Sequence, residues 1–162
     1  DTLIILTADH STGGLTIGAN GIYEWKPAIL RAMNQSPEAI STLLGKSTIT
    51  QQHLSKLLNF TVTESEVALI KKAKTYAIEQ LASYDQLDED DRVKITKPSK
   101  SKIISVAITK LIDLRTNTGW TTGGHTAIDV PVHALGKNSK MFAGKIDNTD
   151  IAKNIFSLLG KK

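Results

Sequence analysis

The amino-acid sequence predicts an α/β fold, and three observations carry this prediction. Residues 2–7 form a short apolar run rich in β-branched side chains, typical of a strand buried on both faces at the centre of a parallel sheet. Residues 128–134 alternate between apolar and polar side chains, as in a half-buried strand. Most of the sequence between them has the apolar spacing of helices. We therefore expect part of a sheet with flanking helices and a mainly helical insertion at about 22–114.

The composition is ordinary for a globular protein and excludes several functions. The chain has 162 residues and a formal charge of +4, and its lysines are spread along the sequence, so nucleic-acid binding is not expected. No apolar run is long enough to span a bilayer. The lack of cysteine excludes disulfides, thiolate metal sites and a cysteine nucleophile. Because the sequence enters a core strand at once, we expect the chain to be a fragment of a longer protein.

Capping residues mark the helices of the insertion. Ser36 followed by Pro37 predicts a helix over 37–44, with Gly45 as its natural stop. Thr50 caps a second helix over 51–58, in which His53 is expected to be partly exposed.

A longer helix follows the capping box formed by Thr63 and Glu66. Its charged face, which includes Lys74, is expected to lie in solvent. The acidic stretch 85–91 lacks the glycine and terminal glutamate of a calcium loop, so we expect a hydrated loop. Two more helices are predicted, one with a buried stripe from Ile103 to Ile112 and one over 148–159 capped by Asn148.

Asp9 and His10 come directly after the first predicted strand, where the functional groups of open α/β sheets collect. A carboxylate oxygen and an imidazole nitrogen together suit Zn²⁺. The pair also fits a simpler reading, in which Asp9 caps a helix beside a hydrogen-bonded histidine. Gly13 and Gly14, which allow close backbone approach, favour the metal-binding interpretation.

A second segment with functional character spans residues 116–126. This long glycine-rich loop is polar and small apart from Trp120 and His125, and such loops commonly carry function. Trp120 either pins the loop to the rest of the protein or lines the mouth of an active site. In the strand that follows, the alternation places His133 on the outward face.

Taken together, the two segments resemble the alkaline phosphatase family. Residues 1–14, DTLIILTADHSTGG, are similar to the metal-binding strand of that family, and residues 120–132, WTTGGHTAIDVPV, resemble its last metal-ligand segment. The resemblance implies an alkaline-phosphatase-like sheet in which 1–162 forms the carboxyl-terminal part of the domain. It also implies two Zn²⁺ ions and one Mg²⁺ in the complete enzyme.

The resemblance assigns roles to three residues. Asp9 and His10 would bind the zinc that activates the serine nucleophile, and His125 would bind the zinc that holds phosphate and activates water. Ions about 4 Å apart stabilise both oxygens of an in-line displacement, so the three side chains should converge within about 10 Å. The nucleophilic serine, the phosphate-binding arginine and the remaining zinc and magnesium ligands match none of these residues, and no motif makes Ser11 the nucleophile.

The resemblance thus implies a fragment of a phosphatase that hydrolyses small phosphate monoesters and is inactive alone. Its partner would be the missing amino-terminal part of the same chain, in a periplasmic or secreted enzyme that could form a homodimer. Two alternatives stay open: a fragment of a related phosphodiesterase or sulfatase, and a non-catalytic α/β interaction module.

Overall fold

The computed structural model describes residues 2–161, which form two compact units. The strand unit comprises the residues up to Leu15 and those from Trp120 onward, and the helical unit spans Thr16–Gly119. The helical unit therefore includes more residues at both ends than the insertion expected at about 22–114. The strands are β1 Leu3–Thr7, β2 Ser11–Thr12, β3 Thr16–Ile17, β4 Thr118–Gly119, β5 His125–Thr126 and β6 Val132–Gly136. The helices are α1 Pro27–Ala32, α2 Pro37–Lys46, α3 Gln51–Leu58, α4 Glu64–Asp85, α5 Glu89–Arg92, α6 Lys100–Thr116 and α7 Asn148–Leu158.

The helical unit has its own hydrophobic core, in which α6 packs against α2 and α4. The predicted caps form: Ser36, Thr50 and Thr63 each accept a backbone N–H in the first turn of the following helix. The core consists of Ile40, Leu44, Ile49, Leu54, Leu58, Val62, Val67, Ile70, Ile104, Ile108, Leu111 and Ile112. Burial of this many aliphatic side chains provides the main stabilisation of the unit.

An ion pair joins the start of α4 to the end of α6. The guanidinium of Arg115 donates to both carboxylate oxygens of Glu66, at 2.5 Å and 2.7 Å. Glu66 also accepts the backbone N–H of Thr63 and so completes the capping box. The hydrogen bond from Arg115 is the main reason that the pKa of Glu66 falls from 4.5 to about 2.

The end of α2 differs from the sequence prediction. The helix runs through Gly45 to Lys46 instead of stopping at Gly45. Lys74 of α4, expected in solvent, is half-buried and donates to the carbonyls of Leu44 and Ser47 at 2.8 Å and 2.7 Å. These ammonium contacts satisfy carbonyls at the end of the helix, so a left-handed glycine cap is not needed.

Two short helices in the helical unit were not predicted. Helix α1 begins at Pro27, and the indole of Trp25 just before it donates to Thr118 Oγ1 at 3.1 Å. Helix α5 begins within the acidic stretch 85–91, which was expected to be a hydrated loop, and it ends at Arg92 and is capped by Asp88. Neither helix is long enough for periodicity to indicate it from sequence.

The strand unit is built on β1 and β6, and here one expectation is wrong. Within the described residues β1 pairs with β6 alone, antiparallel from Leu3 opposite Gly136 to Thr7 opposite Val132, and has no parallel neighbour. Leu3 and Ile5 are half-buried, whereas Ile4 is 58% exposed and Leu6 is 67% exposed. The apolar strand was expected to be buried on both faces, but within the described residues only one of its faces is partly buried.

That covered face lies beside the last elements of the chain. A 3-10 helix, Ser139–Phe142, follows β6 and places Phe142 in a buried position. Ile155 and Leu158 of α7 line one groove with Leu3 and Ile5. The N-cap of α7 is Asp147, not Asn148, because the Asp147 carboxylate accepts the backbone N–H of Thr149 and forms a capping box.

Among residues 2–161, no helix is both long and apolar enough to cross a membrane.

Candidate metal centre

Asp9 and His10 lie just beyond the carboxyl end of β1, as predicted. Asp9 Oδ1 accepts the backbone N–H of His10 at 3.0 Å, and Asp9 Oδ2 lies 3.2 Å from His10 Nε2. The Asp9 side chain is 85% exposed, so its carboxylate is open to a ligand. His10 Nδ1 lies 3.1 Å from the carbonyl oxygen of Ser11 and 3.3 Å from Thr12 Oγ1, so it can donate to the first or accept from the second. Nε2 faces the Asp9 carboxylate.

His125 is brought to the same place by a two-residue ladder. β2 pairs antiparallel with β5, with Ser11 opposite Thr126 and Thr12 opposite His125. The rings of His10 and His125 stack, with centroids 3.4 Å apart and planes 20° from parallel. Two histidines that are distant in sequence therefore lie face to face.

Gly13 anchors the glycine-rich loop next to these histidines. Its N–H donates to the Gly124 carbonyl at 2.8 Å, and its own carbonyl accepts the N–H groups of Thr121 and Thr122. Its φ of +68° suits glycine, and a Cβ at this position would overlap the indole of Trp120. A larger residue at position 13 would thus disturb the loop that carries His125.

Trp120 covers Gly13 and is 48% exposed. It is not among the residues lining the groove beside Asp9 and His10. This position fits the pinning interpretation of the sequence, and a role at the active-site mouth remains a prediction.

The donor atoms fit a zinc ion. Two ligands bonded at about 2.0–2.1 Å to a tetrahedral zinc lie about 3.3 Å apart, and Asp9 Oδ2 and His10 Nε2 are separated by 3.2 Å. A metal binds imidazole in the plane of the ring, so stacked rings do not converge on a single ion. His10 and His125 could therefore serve two neighbouring ions.

The set of donors is incomplete. Across residues 2–161, no group of three or more His, Cys, Asp or Glu side chains is arranged to hold a metal ion. A closed zinc site needs four ligands, so each site would have to be completed by other donors.

An open groove of about 640 Å³ extends from Asp9 and His10 along the strand unit. Lys145 and Asn148 line it, and Lys145 pairs with Asp129 at 3.1 Å. Sequence reasoning did not find Lys145, because an isolated lysine in a loop has no local pattern that indicates a groove.

The two remaining histidines lie elsewhere, as the sequence predicted. His53 is half-buried in the helical unit, where its Nδ1 is 3.2 Å from the Thr48 carbonyl oxygen. His133 is exposed on β6.

Comparisons with known proteins agree on one family. The family model for alkaline phosphatase matches residues 1–161. Alkaline phosphatase 3 of Bacillus subtilis is 40% identical over 159 residues, which are 98% of this chain and 30% of that protein. Alkaline phosphatase 4 of the same organism is 34% identical over 158 residues, with the same shares covered.

A solved structure supports the same relationship. The crystal structure of a cold-active alkaline phosphatase from a psychrophilic Shewanella species matches with a TM-score of 0.75 and 36% identity, covering 98% of this chain and 34% of that one. This match confirms the predicted α/β fold class. The chain spans about a third of the length of the relatives it matches, and it belongs to the alkaline phosphatase family.

Proposed function

We propose that this chain is the carboxyl-terminal part of a zinc-dependent phosphomonoesterase, which hydrolyses phosphate monoesters to an alcohol and phosphate. The observation that carries the proposal is the convergence of Asp9, His10 and His125, with two donor atoms separated as ligands of one zinc ion. Family membership supports the phosphatase activity, since both Bacillus relatives bear that name.

Asp9 and His10 would hold one zinc ion, and His125 would hold its neighbour. Together such ions supply charge that stabilises the attacking and leaving oxygens of a phosphoryl transfer and lower the pKa of a bound water. A hydrogen bond from the Nδ1–H of His10 to the Ser11 carbonyl would leave the lone pair of Nε2 for the zinc ion. The magnesium ligands, the serine nucleophile and the phosphate-binding arginine would come from the rest of the enzyme.

The partner that we propose is the remainder of the phosphatase chain. Ile4 and Leu6 of β1 and Leu135 of β6 form an exposed apolar patch on one face of the two strands. Exposed patches of this kind mark surfaces that are covered in an assembly. Coverage by the amino-terminal part of the domain would complete both the sheet and the metal sites, in a periplasmic or secreted enzyme that could be a homodimer.

A zinc titration of the 162-residue chain tests the metal assignment. We expect weak binding, with a dissociation constant above about 1 μM. A closed zinc site needs four ligands, whereas Asp9 and His10 supply two to one ion and His125 supplies one to the other. Histidine NMR signals of His10 and His125 should shift, whereas those of His53 and His133 should not. Stoichiometric uptake at sub-micromolar affinity, or shifts confined to His53 or His133, would contradict the assignment.

The full-length enzyme tests the role of His125. His125→Ala should lower turnover by more than about 100-fold and reduce the zinc content, since even second-shell changes cost about 10–100-fold in metal affinity or activity. His133→Ala is the matched control and should leave both nearly unchanged. Turnover of the His125 variant near wild type at low free zinc would refute the role.

The same full-length enzyme separates the alternatives. Faster hydrolysis of a phosphate diester or a sulfate ester than of a phosphate monoester would favour a phosphodiesterase or sulfatase. Failure of the chain to restore activity when combined with the rest of the domain would favour a non-catalytic module.

A further inference from the structure

The hydroxyl groups of Ser11 and Thr126 lie beside the two histidines but have no role in the function proposed above. The Ser11 hydroxyl oxygen is 2.5 Å from the Thr126 hydroxyl oxygen, and both residues are half-buried. Each residue directly follows one of the stacked histidines, His10 and His125. This hydroxyl bond therefore joins the two segments at the positions next to both candidate ligands.

The backbone joins these segments by a very short ladder and by the hydrogen bonds of Gly13 that follow it. β2 and β5 contain two residues each, and isolated two-stranded pairings are marginally stable. A slip of one residue would move the side chains of a strand to the opposite face. The stacking of His10 on His125 consequently depends on a register that a two-residue ladder and the hydrogen bonds of Gly13 secure.

Ser11 also touches His10 through its main chain. Its carbonyl oxygen lies within hydrogen-bond distance of His10 Nδ1, and its hydroxyl is hydrogen-bonded to Thr126 on the neighbouring strand. Movement of Ser11 would thus change both the orientation of the His10 ring and the strand pairing.

We propose that Ser11 and Thr126 are positioning residues that lock the register of β2 and β5 and thereby fix His10 against His125. This inference deepens the proposed function and rests on it where metal affinity is concerned. The stacking of the two rings can be measured in metal-free protein, so that part of the inference does not depend on the proposed function.

The test compares variants of the 162-residue chain. Thr126→Val keeps the shape and removes the hydroxyl, Ser11→Ala removes the other hydroxyl, and Thr126→Ser restores a hydroxyl. Ser157→Ala, on exposed α7, is the matched control. In metal-free protein, Thr126→Val and Ser11→Ala should displace the ring-proton signals of His10 and His125, because the ring currents of the stack are lost. Thr126→Ser and Ser157→Ala should retain the wild-type signals.

Zinc titration of the same variants gives the second measurement. Affinity should fall about 10-fold in Thr126→Val and recover in Thr126→Ser. Unchanged histidine signals in both Ser11→Ala and Thr126→Val would overturn the positioning role. The histidine signals could be displaced in the variants while neither His10 nor His125 responds to zinc in any of the proteins, wild type included. That result would uphold the positioning of the rings and refute the proposed metal site. Should Thr126→Val fail to fold, Ser11→Ala and Thr126→Ser decide the question.

Discussion

At the scale of single residues, Gly13 has the clearest structural reason for its identity. It combines a φ of +68° with three backbone hydrogen bonds to the loop 121–124, and it leaves space that the Trp120 indole fills. A side chain at this position would meet both unfavourable backbone geometry and a direct overlap. Gly13 and Trp120 thus form a single contact that holds the His125 loop.

Replacement of Trp120 distinguishes its two roles. If Trp120 pins the loop, Trp120→Ala in the full-length enzyme should weaken zinc binding, lower the melting temperature and reduce activity towards all esters alike. If it lines the mouth, stability should be near normal and catalytic efficiency should change more for aryl than for small alkyl esters. The structure favours the first outcome. Trp25→Ala, in the helical unit, is the control that should leave zinc binding unchanged.

At the scale of elements, the end of α2 depends on a residue from another helix. Lys74→Met keeps most of the apolar stem but removes the bonds to Leu44 and Ser47, so the free energy of unfolding should fall by about 1–2 kcal/mol. Lys71→Met, at an exposed position of α4, should change it by less than about 0.5 kcal/mol. Urea unfolding monitored by circular dichroism measures both. Equal effects of the two substitutions would show that the contacts of Lys74 do not stabilise the helix.

The ion pair between α4 and α6 predicts a dependence of stability on pH. Because the pKa of Glu66 is lowered from 4.5 to about 2 in the folded state, its contribution is complete above about pH 4.5 and is lost as the pH falls towards 2. Glu66→Gln should lower the free energy of unfolding by about 1–2 kcal/mol at pH 7 and reduce its decrease between pH 4.5 and 2. Glu64→Gln, in the same first turn, is the control. An unaltered acid profile in the Glu66 variant would contradict this role of the ion pair.

At the scale of the whole molecule, the helical unit has an extended aliphatic core, and the strand unit exposes apolar side chains on one face of β1 and β6. An exposed apolar strand face with open edges favours association with another surface. We propose that this face of the strand unit is the surface that the rest of the enzyme covers.

The exposed patch gives the last prediction. The 162-residue chain should self-associate, and the triple substitution Ile4→Thr, Leu6→Thr, Leu135→Thr should reduce this in sedimentation velocity, since each change removes exposed apolar area. The same substitutions should destabilise the full-length enzyme, in which we propose that the patch is covered. Ile5→Thr, on the covered face of β1, is the control that should destabilise both proteins. A full-length triple variant as stable as wild type would argue that the patch stays exposed.

Features that depend on neighbours in the chain were predictable from sequence. The capping box of Thr63 and Glu66, the caps at Ser36 and Thr50 and the apolar stripe of α6 use contacts within a few residues, so each sequence segment contains both partners. The placement of Asp9 and His10 after a strand follows from the same local order. The motifs around them and around His125 also indicated the family.

Long-range contacts were decided only by the tertiary structure. The antiparallel pairing of β1 with β6, the approach of Lys74 to α2 and the stacking of His10 on His125 join segments distant in sequence. In each case one segment alone does not specify its partner: β1 has an apolar pattern that fits either strand direction, and Lys74 has the spacing of a solvated residue. Which of these contacts form depends on the packing of the whole chain, because the gain in buried area and satisfied hydrogen bonds is shared among elements.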